Sequence, residues 1–381
     1  MKAWLFQDHR QVAKVGASAA SWYVGWIDPQ GKRRSKSFGP GSEGKKLAFR
    51  YQKRVAAELL TGTYKAVAKA TWAKFRAEYD AKVLDGMGPQ TAKVVRNSLD
   101  QFERLAAPAK VASITVSVID QFVAERRKER GAKAASVISP ATINRDLRNI
   151  KAALNKAGEW GYLPTVPRIR MIREPKKLPT YVTPDHFAAI YGACDKARLP
   201  NDLTGVDPAD WWRALLVLGY MTGWRISELL ALKRDDLDLD GGYAITRAGD
   251  NKGRRDDRVK LHAVAVEHLR RVRTFDPVVL PWNYNRRTLH EEFLRAQEAA
   301  GIALPCHGDH THTRFCRVYG FHDLRRAFAT MNADKLTADA LQALMRHKSY
   351  QTTQRYISMA RQMDEAVEVL HVPDVLLAKN A

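Results

Sequence analysis

The sequence predicts a multidomain fold of the α+β class, mainly α-helical with small β-sheets. Its 381 residues are enough for two or three domains at about 150 residues each. Apolar residues make up 45% of the chain and include nine tryptophans, which is enough to build hydrophobic cores and excludes wholesale disorder. The apolar pattern is strand-like near the start, helical in the middle and mixed in the last half.

The basic charge of the chain is concentrated in its first 180 residues. The formal net charge is +22, of which +9 lies in residues 1–65, +11 in 66–180 and +2 in 181–381. A polyanion is therefore the expected partner. The gradient favours two basic modules that hold this partner, at 1–65 and 66–163, a basic linker at 164–180, and a nearly neutral module that acts on it.

Cysteine content and hydropathy indicate a soluble cytoplasmic protein. Three cysteines cannot form a disulfide framework, and their sparse, odd number fits a reducing compartment. Residues 1–10 lack the apolar stretch of a signal peptide, and no apolar run approaches the ~18 residues of a membrane span.

The first 65 residues are predicted to form a small sheet and one helix. β-Branched and aromatic residues over 21–27 and a second strand over 33–38 flank an Asp-Pro-Gln-Gly turn, which predicts a hairpin. Helical periodicity follows over 43–60. A basic hairpin can lie in a DNA major groove, and the alternative is a hairpin whose cations face water. Its candidate DNA-binding residues are Lys32, Arg33, Arg34 and Lys36.

Residues 71–163 show helical periodicity throughout, and four breaks divide them into about four helices. Ser139 and Pro140 stand where a helix N-cap is followed by proline at the first helical position. The helix after them carries basic residues beside its apolar face. It is either a DNA clamp or part of an ordinary bundle, and the sequence leaves both open. The candidate DNA-binding residues here are Arg145, Arg148 and Lys151.

Two cation-bearing motifs open the last domain. Arg225 follows a Gly-Trp pair at the start of a predicted helix, where Glu228 can brace its guanidinium. The alternative is a surface Arg–Glu pair. Lys252 lies in the turn of a hairpin predicted over 243–261. It either reaches a substrate or is a solvated loop lysine, and the neighbouring Lys260 competes with it.

Two further motifs place histidine and tyrosine near the end of the chain. His322 and Arg325 lie three apart on one face of a predicted helix, so both can contact one phosphate. His347 is followed nine residues later by Tyr356, which is either a core residue or a nucleophile. Taken singly, each of these residues is more often structural.

The joint order and spacing of these residues resemble the tyrosine recombinases, the phage-type integrase family. The matching stretches are TGWRISELL, the turn at Lys252 leading to RVKL, FHDLRRAFAT and RHKSYQTTQRY. The first 65 residues are similar to the arm-site-binding domain of integrases, which has a three-stranded sheet. SPATINRDLRNIKAALNKAGEWGYL is similar to the end of their helical, SAM-like core-binding domain. Residues 181–381 would then form the catalytic domain.

The resemblance implies a site-specific recombinase that integrates or excises a mobile element. Tyr356 would attack a DNA phosphodiester to form a 3′-phosphotyrosyl bond, so neither ATP nor a metal cofactor is required. The implied partners are double-stranded DNA attachment sites, further copies of the chain in a tetramer on DNA, and an accessory bending or directionality factor. The protein would then be nucleoid-associated when bound to DNA.

The resemblance also implies roles for the residues around the tyrosine. Arg225, Arg325 and His347 would stabilise the transition-state charge. His322 would exchange a proton with the tyrosine, and Lys252 would protonate the leaving 5′-oxygen. Two acidic residues are expected to orient Arg225 and the turn at His322: Glu228 and Asp323.

Three features depart from the family pattern. Arg346 stands before the second histidine, where the family usually has glycine, so its side chain must point away from the scissile phosphate or join it. Ser358 stands where many members have histidine. An insertion over 306–316 contains two cysteines and three histidines, a density that suits tetrahedral zinc, and a metal-free polar loop is the alternative. The candidate ligands are Cys306, Cys316 and two of His307, His310 and His312.

Two other functions compete with recombination. One is DNA relaxation of the type IB topoisomerase kind, and the other is a non-catalytic DNA-binding regulator with the same fold. The basic first domain argues against the former, and the complete set of cations with a tyrosine argues against the latter. The apolar segment 363–377 is expected to pack either within its own chain or on a neighbouring protomer.

Overall fold

The computed structural model describes residues 3–64, 70–131, 136–163, 165–175, 180–249, 255–306 and 310–363. The chain divides into two compact units, Met1–Pro175 and Lys176–Ala381. The predicted fold class is confirmed, because helices dominate the described residues and two small three-stranded sheets accompany them. In the described ranges, each helix is too short or too polar to cross a membrane.

The first unit begins with an antiparallel sheet and a long helix. Its elements are β1 (Ala3–Gln7), α1 (His9–Val15), β2 (Trp22–Ile27), β3 (Arg33–Ser37) and α2 (Gly41–Leu60). The strands pair in the order β1-β2-β3, which confirms the three-stranded sheet. Val24 and Trp26 of β2 pack with Val55 and Leu59 of α2 in a small hydrophobic core, which buries one face of the sheet.

The rest of the first unit is a helical bundle. Its helices are α3 (Trp72–Tyr79), α4 (Pro89–Ala106), α5 (Val116–Lys128) and α6 (Pro140–Glu159), and a π-helical turn, Asp80–Leu84, continues α3. The four predicted helices are therefore present. Ser139 caps α6, since its Oγ accepts a hydrogen bond from the Thr142 N–H at 3.2 Å and a proline follows it. Phe75, Phe102 and Phe122 are fully buried in the bundle core.

The described part of the predicted linker, 165–175, packs on α6. Ile169 is buried with the bundle core. The buried side chain of Asn144 donates a hydrogen bond to the Ile172 carbonyl at 2.8 Å and accepts one from the Ile172 N–H at 2.7 Å. Because both ends of this amide are paired, the segment is fixed to the bundle, and the helical module continues beyond residue 163.

The second unit is built around one central helix. Its elements are α7 (Pro184–Gly192), α8 (Pro208–Thr222), α9 (Ile226–Leu229), β4 (Leu237–Asp238), β5 (Tyr243–Thr246), β6 (Asp257–Lys260), α10 (Ala263–Arg271), α11 (Arg286–Ala299), α12 (Phe321–Met331), α13 (Ala338–Met345) and α14 (Tyr350–Met363). Helix α8 is apolar on nearly all faces, with Trp211, Trp212 and 214–219 buried, as a core helix should be. Helices α10 and α12 pack against it.

The predicted hairpin of the second unit is present as β5 and β6. Tyr243 lies opposite Lys260, and Thr246 lies opposite Asp257. Strand β4 completes the sheet in the order β4-β5-β6. The turn of this hairpin therefore starts at the end of β5 that carries Thr246, and Lys260 lies at the other end.

Candidate active site

The end of α8 places Arg225. The helix is terminated by Gly223 at φ +64°, and a Cβ there would lie 2.7 Å from Cδ1 of Phe328, so conformation and packing both require glycine. The Glu228 carboxylate accepts hydrogen bonds from the Arg225 N–H and Nη1, each at 2.9 Å. The Glu228 side chain is 2% exposed and that of Arg225 26%. A buried carboxylate thus holds a guanidinium that remains open to solvent.

Arg325 is buried in the second turn of α12. Its Nη1 donates a hydrogen bond to the Gly223 carbonyl at 2.6 Å, and its Nη2 donates one to the Met345 carbonyl. It therefore joins the end of α8 to the end of α13. Burial, followed by the nearby positive charge of Arg225, lowers the pKa of Arg325 to about 10. The guanidinium stays protonated at neutral pH, and the nearby charge of Glu228 offsets only part of the cost of burying it.

His322 lies in the first turn of α12, next to Asp323. The Asp323 carboxylate accepts hydrogen bonds from the Gly320 N–H at 2.7 Å and from Arg326 Nη1 at 2.8 Å, which fixes the start of the helix. Although His322 is exposed as a whole residue, protein atoms displace water around its imidazole. This desolvation, then the charges of Arg326 and Arg325, lowers the pKa of His322. The neutral imidazole, which can accept a proton, is therefore favoured at neutral pH.

His347 and Tyr356 face each other. Their rings are nearly parallel, at 13°, with centroids 6.2 Å apart. His347 Nδ1 lies 2.9 Å from the hydroxyl of Thr353, so Nε2 is the nitrogen left to meet a substrate. Burial, then the charges of Arg325 and Arg225, lowers the pKa of His347 to about 4. A neutral imidazole whose Nδ1 accepts from Thr353 would carry its proton on Nε2 and would be a hydrogen-bond donor there.

Arg346 points into the protein. Its Nη1 donates a hydrogen bond to Thr246 Oγ1 at 2.5 Å, and its Nη2 forms an ion pair with Glu228. The guanidinium carbon lies 5.2 Å from the ring centroid of Trp224. Arg346 ends α13 at φ +52°, a left-handed conformation that favours glycine. The side chain is thus directed at the carboxylate that also holds Arg225.

The cations of the site outnumber its carboxylates. Arg225, Arg325 and Arg346 bring three guanidinium groups near Glu228, which pairs with two of them. Arg325 donates instead to backbone carbonyls. The charge of Tyr356 is among the influences on the pKa of Arg325, which places the tyrosine in the same electrostatic environment. The arrangement carries net positive charge and favours binding of an anion.

The hairpin carries the two candidate lysines, Lys252 and Lys260. Lys252 lies outside the described residues. Lys260 Nζ donates a hydrogen bond to the Gly241 carbonyl at 2.8 Å and lies over the Tyr243 ring, at the end of the hairpin away from Thr246. Because Thr246 contacts Arg346, the site lies at the turn end of the hairpin. Lys260 is therefore paired with the backbone at the opposite end of the hairpin from Thr246.

Three residues of the site were not among the sequence candidates. Thr353 positions His347, Thr246 binds Arg346, and Trp224 packs on the same guanidinium. Thr353 lies one helical turn before Tyr356, which was a usable signal. Thr246 and Trp224 gave none, because their contacts with Arg346 join segments at least 100 residues apart in sequence.

The candidate DNA-binding residues lie on two surfaces of the first unit. Arg145, Arg148 and Lys151 are exposed along α6, on the side opposite the bundle core. In the hairpin, Lys32, Arg33 and Lys36 are exposed, with Arg33 over the ring of Trp4 and Lys36 over that of Tyr51. Arg34 differs, because its Nε pairs with the buried carboxylate of Asp28 at 2.9 Å. It anchors the turn of the hairpin.

The insertion before α12 brings two cysteines and two histidines together. These are Cys306, His310, His312 and Cys316. His307 lies outside the described residues. The Thr313 hydroxyl and N–H both lie 3.4 Å from Cys316 Sγ, and these hydrogen bonds lower the pKa of the Cys316 thiol to about 5. The apolar tail after Met363 and the side chain of Ser358 lie outside what the structure describes.

Residues 181–363 match the phage integrase family. The tyrosine recombinase XerA of Pyrococcus furiosus is 26% identical over 211 residues, which cover 53% of this chain and 65% of that protein. The tyrosine recombinase XerC of Xanthomonas axonopodis pv. citri is 29% identical over 200 residues, covering 51% and 61%. The chain thus spans about three-fifths of the length of these relatives.

Solved structures share the fold over most of the chain. A lambda integrase dimer bound to a COC′ core site has a TM-score of 0.58 and 18% identity, and the match covers 97% of both chains. A lambda integrase tetramer bound to a Holliday junction has a TM-score of 0.58 and 19% identity, covering 92% and 94%. XerH recombinase bound to a palindromic difH substrate has a TM-score of 0.56 and 16% identity, and the match covers 85% of this chain and 89% of that one. The chain has the fold of these proteins, and its residues 181–363 belong to the phage integrase family, the tyrosine recombinases.

Proposed function

We propose that this protein is a site-specific DNA recombinase, an integrase that moves a mobile element into and out of DNA. The observation that carries the proposal is the convergence of Arg225, Arg325, His347 and Tyr356. A phosphodiester is an anion, which an arrangement with an excess of positive charge attracts. The family of the chain supports the same reaction class.

Tyr356 is the nucleophile of the proposed reaction. Its phenolic oxygen forms a bond to the phosphorus of the DNA backbone, and the bond from phosphorus to the 5′-oxygen breaks. His322 accepts the phenolic proton, which its lowered pKa permits. Lys252 donates a proton to the departing 5′-oxygen. A 5′-hydroxyl from a second strand reverses these steps, and the phosphotyrosyl bond conserves the energy of the phosphoester, so no ATP or metal takes part.

Residues that the fold already holds in place stabilise the charge of the transition state. The transition state places additional negative charge on the non-bridging oxygens of the phosphate. Arg225 has an open guanidinium held by a buried carboxylate, and neutral His347 offers Nε2. Arg325 adds a buried positive charge nearby. Donors held in place before the reaction need no reorganisation as charge develops, which is the main source of such stabilisation.

The basic first unit would hold the DNA. The exposed cations of α6 and of the hairpin suit contacts with phosphates, which fix position and give salt-sensitive affinity. We place double-stranded attachment sites as the substrate and a tetramer as the active assembly, by analogy with the lambda integrase tetramer on a Holliday junction. An accessory bending or directionality factor belongs to the same proposal.

The test is formation of a covalent adduct. Full-length protein is incubated with duplexes spanning the ends of its own mobile element, with a nick moved along the core one nucleotide at a time. Wild type is expected to give an adduct that survives denaturation, and Tyr356→Phe is expected to give none. Tyr350→Phe changes an exposed tyrosine at the start of the same helix and should keep the adduct.

Two outcomes would contradict the proposal. An adduct formed by Tyr356→Phe would make another residue the nucleophile, and no adduct from wild type on any nicked duplex would remove the cleavage activity. A second assay separates recombination from relaxation. If the protein relaxes a supercoiled plasmid that lacks the sites and joins no two sites, it is a topoisomerase-type enzyme.

A further inference from the structure

The loop between α11 and α12 holds four side chains with zinc-ligand chemistry. One ligand atom from each of Cys306, His310, His312 and Cys316 lies within 4.8 Å of all the others. His310 Nε2 lies 3.7 Å from Cys306 Sγ and 3.1 Å from Cys316 Sγ. The rings of His310 and His312 have centroids 4.9 Å apart. Two sulfur and two nitrogen atoms that can bind zinc therefore lie in one cluster.

We propose that these four residues bind a structural zinc ion. Zinc bonds of about 2.3 Å to sulfur and about 2.0–2.1 Å to nitrogen place sulfur and nitrogen roughly 3.6 Å apart at tetrahedral angles. The two sulfur–nitrogen distances in the loop, 3.1 and 3.7 Å, lie on either side of that value. Two thiolates with two imidazoles also select zinc over magnesium or calcium, which prefer oxygen ligands.

The surroundings of the four residues hold the loop in place. The Leu304 N–H donates a hydrogen bond to the Arg317 carbonyl at 2.8 Å. This bond joins the two ends of the loop, just before Cys306 and just after Cys316. Arg314 Nε pairs with Glu298 of α11 at 2.8 Å. Thr313 directs its N–H and hydroxyl at Cys316 Sγ, as neighbours of zinc-bound thiolates do. These contacts, none of which involves a metal, hold the two sides of the loop that carry the cysteines and histidines close together.

A metal would stabilise this loop, which has little apolar surface to bury. Phe315 is 53% exposed, and the residues around it are polar, so the described part of the loop has little apolar surface to bury. Small segments of this kind obtain folding free energy from structural zinc. Cys316 lies five residues before Phe321, the first residue of α12, so a metal here would fix the approach to the helix that carries His322.

The experiment measures metal in the full-length protein. Protein purified under reducing conditions without chelators is analysed by inductively coupled plasma mass spectrometry, and about one zinc per chain is expected. Cys306→Ser, Cys316→Ser and His310→Asn should each lose the zinc. Cys194→Ala is the matched control, since that cysteine is buried in the core around α8, and His9→Gln controls for loss of a histidine. Both should retain the zinc.

Cobalt substitution gives a second readout that does not depend on the stability of a variant. Wild type with cobalt should show sulfur-to-cobalt charge transfer and the intense visible bands of tetrahedral coordination. The inference is overturned if wild type neither contains zinc nor takes up cobalt, if Cys306 and Cys316 are joined in a disulfide, or if the double variant Cys306→Ser, Cys316→Ser keeps its zinc. None of these measurements uses recombination, so they stand apart from the proposed function.

Discussion

Replacing Arg346 tests whether its buried ion pair stabilises the second unit. The side chains of Arg346 and Glu228 are 4% and 2% exposed. Removing one partner of a buried pair costs about 3–5 kcal/mol, and we take about 3 kcal/mol because Glu228 keeps Arg225 as a partner. Arg346→Ala should therefore lower the free energy of unfolding by about 3 kcal/mol.

Arg346→Gly should lower the free energy of unfolding less than Arg346→Ala does, because glycine tolerates the left-handed backbone at this position. A non-glycine residue at φ +52° pays about 1–2 kcal/mol, and part of the gain from glycine is lost through greater freedom of the unfolded chain. The glycine variant should thus be about 1 kcal/mol more stable than the alanine variant. This difference isolates the backbone contribution from that of the ion pair.

The assay is hydrogen exchange by mass spectrometry across a urea series, read on peptides of α8 and α12. Reading these peptides confines the measurement to the second unit, since a two-unit chain need not unfold in one step. Arg326→Ala removes a more exposed arginine paired with Asp323 and should cost less than about 1 kcal/mol. If Arg346→Ala matches wild type within about 0.5 kcal/mol, the buried ion pair does not stabilise the second unit. If the glycine variant is less stable than the alanine variant, the left-handed backbone carries no cost for alanine.

Three further predictions concern catalysis, pH and DNA. Arg225→Ala should reduce cleavage by the equivalent of about 3–4 kcal/mol, as for loss of one transition-state donor, and leave duplex binding in gel-shift assays largely intact; equal losses would make Arg225 a binding residue. In the folded protein the pKa of His347 is lowered to about 4, whereas in the unfolded chain it is about 6.5. Between these values the unfolded chain binds more protons, so the free energy of unfolding decreases as pH drops from about 6.5 to 4. The decrease is at most about 1.4 kcal/mol per pH unit. In urea titrations, His347→Gln should show a shallower fall over that window, and an unchanged slope would contradict the assigned pKa. Replacing Arg145, Arg148 and Lys151 by serine should reduce the slope of log affinity against log salt by up to about 2.7, and an unchanged slope would remove α6 from the DNA-binding surface.

Local chemistry explains why much of the fold was predictable. The hairpin over β2 and β3 follows from its turn residues, and α6 follows from Ser139 and the proline after it. The central position of α8 follows from its nearly continuous apolar residues. Each of these features depends on neighbours within a few positions in sequence. For the same reason, the extended segment at 165–175 was not predicted to pack on α6, since Asn144 binds Ile172 across 28 residues.

Residue type and spacing are enough to reveal the family resemblance and the residues proposed to react. Arg225, His322, Arg325, His347 and Tyr356 are recognisable because each stands in a short motif and the motifs occur in one order. Their chemistry depends on residue type, and the linear sequence records residue type directly.

How these residues are held depends on contacts between segments that are far apart in sequence. Glu228 and Arg346 are 118 residues apart in sequence, and the sequence left the direction of Arg346 open. In the structure one buried carboxylate holds two guanidiniums. The structure also brings His310 and His312 together with both cysteines of the insertion. These outcomes depend on packing between distant segments, because burial and distance set the strength of an ion pair and neither is written in local sequence.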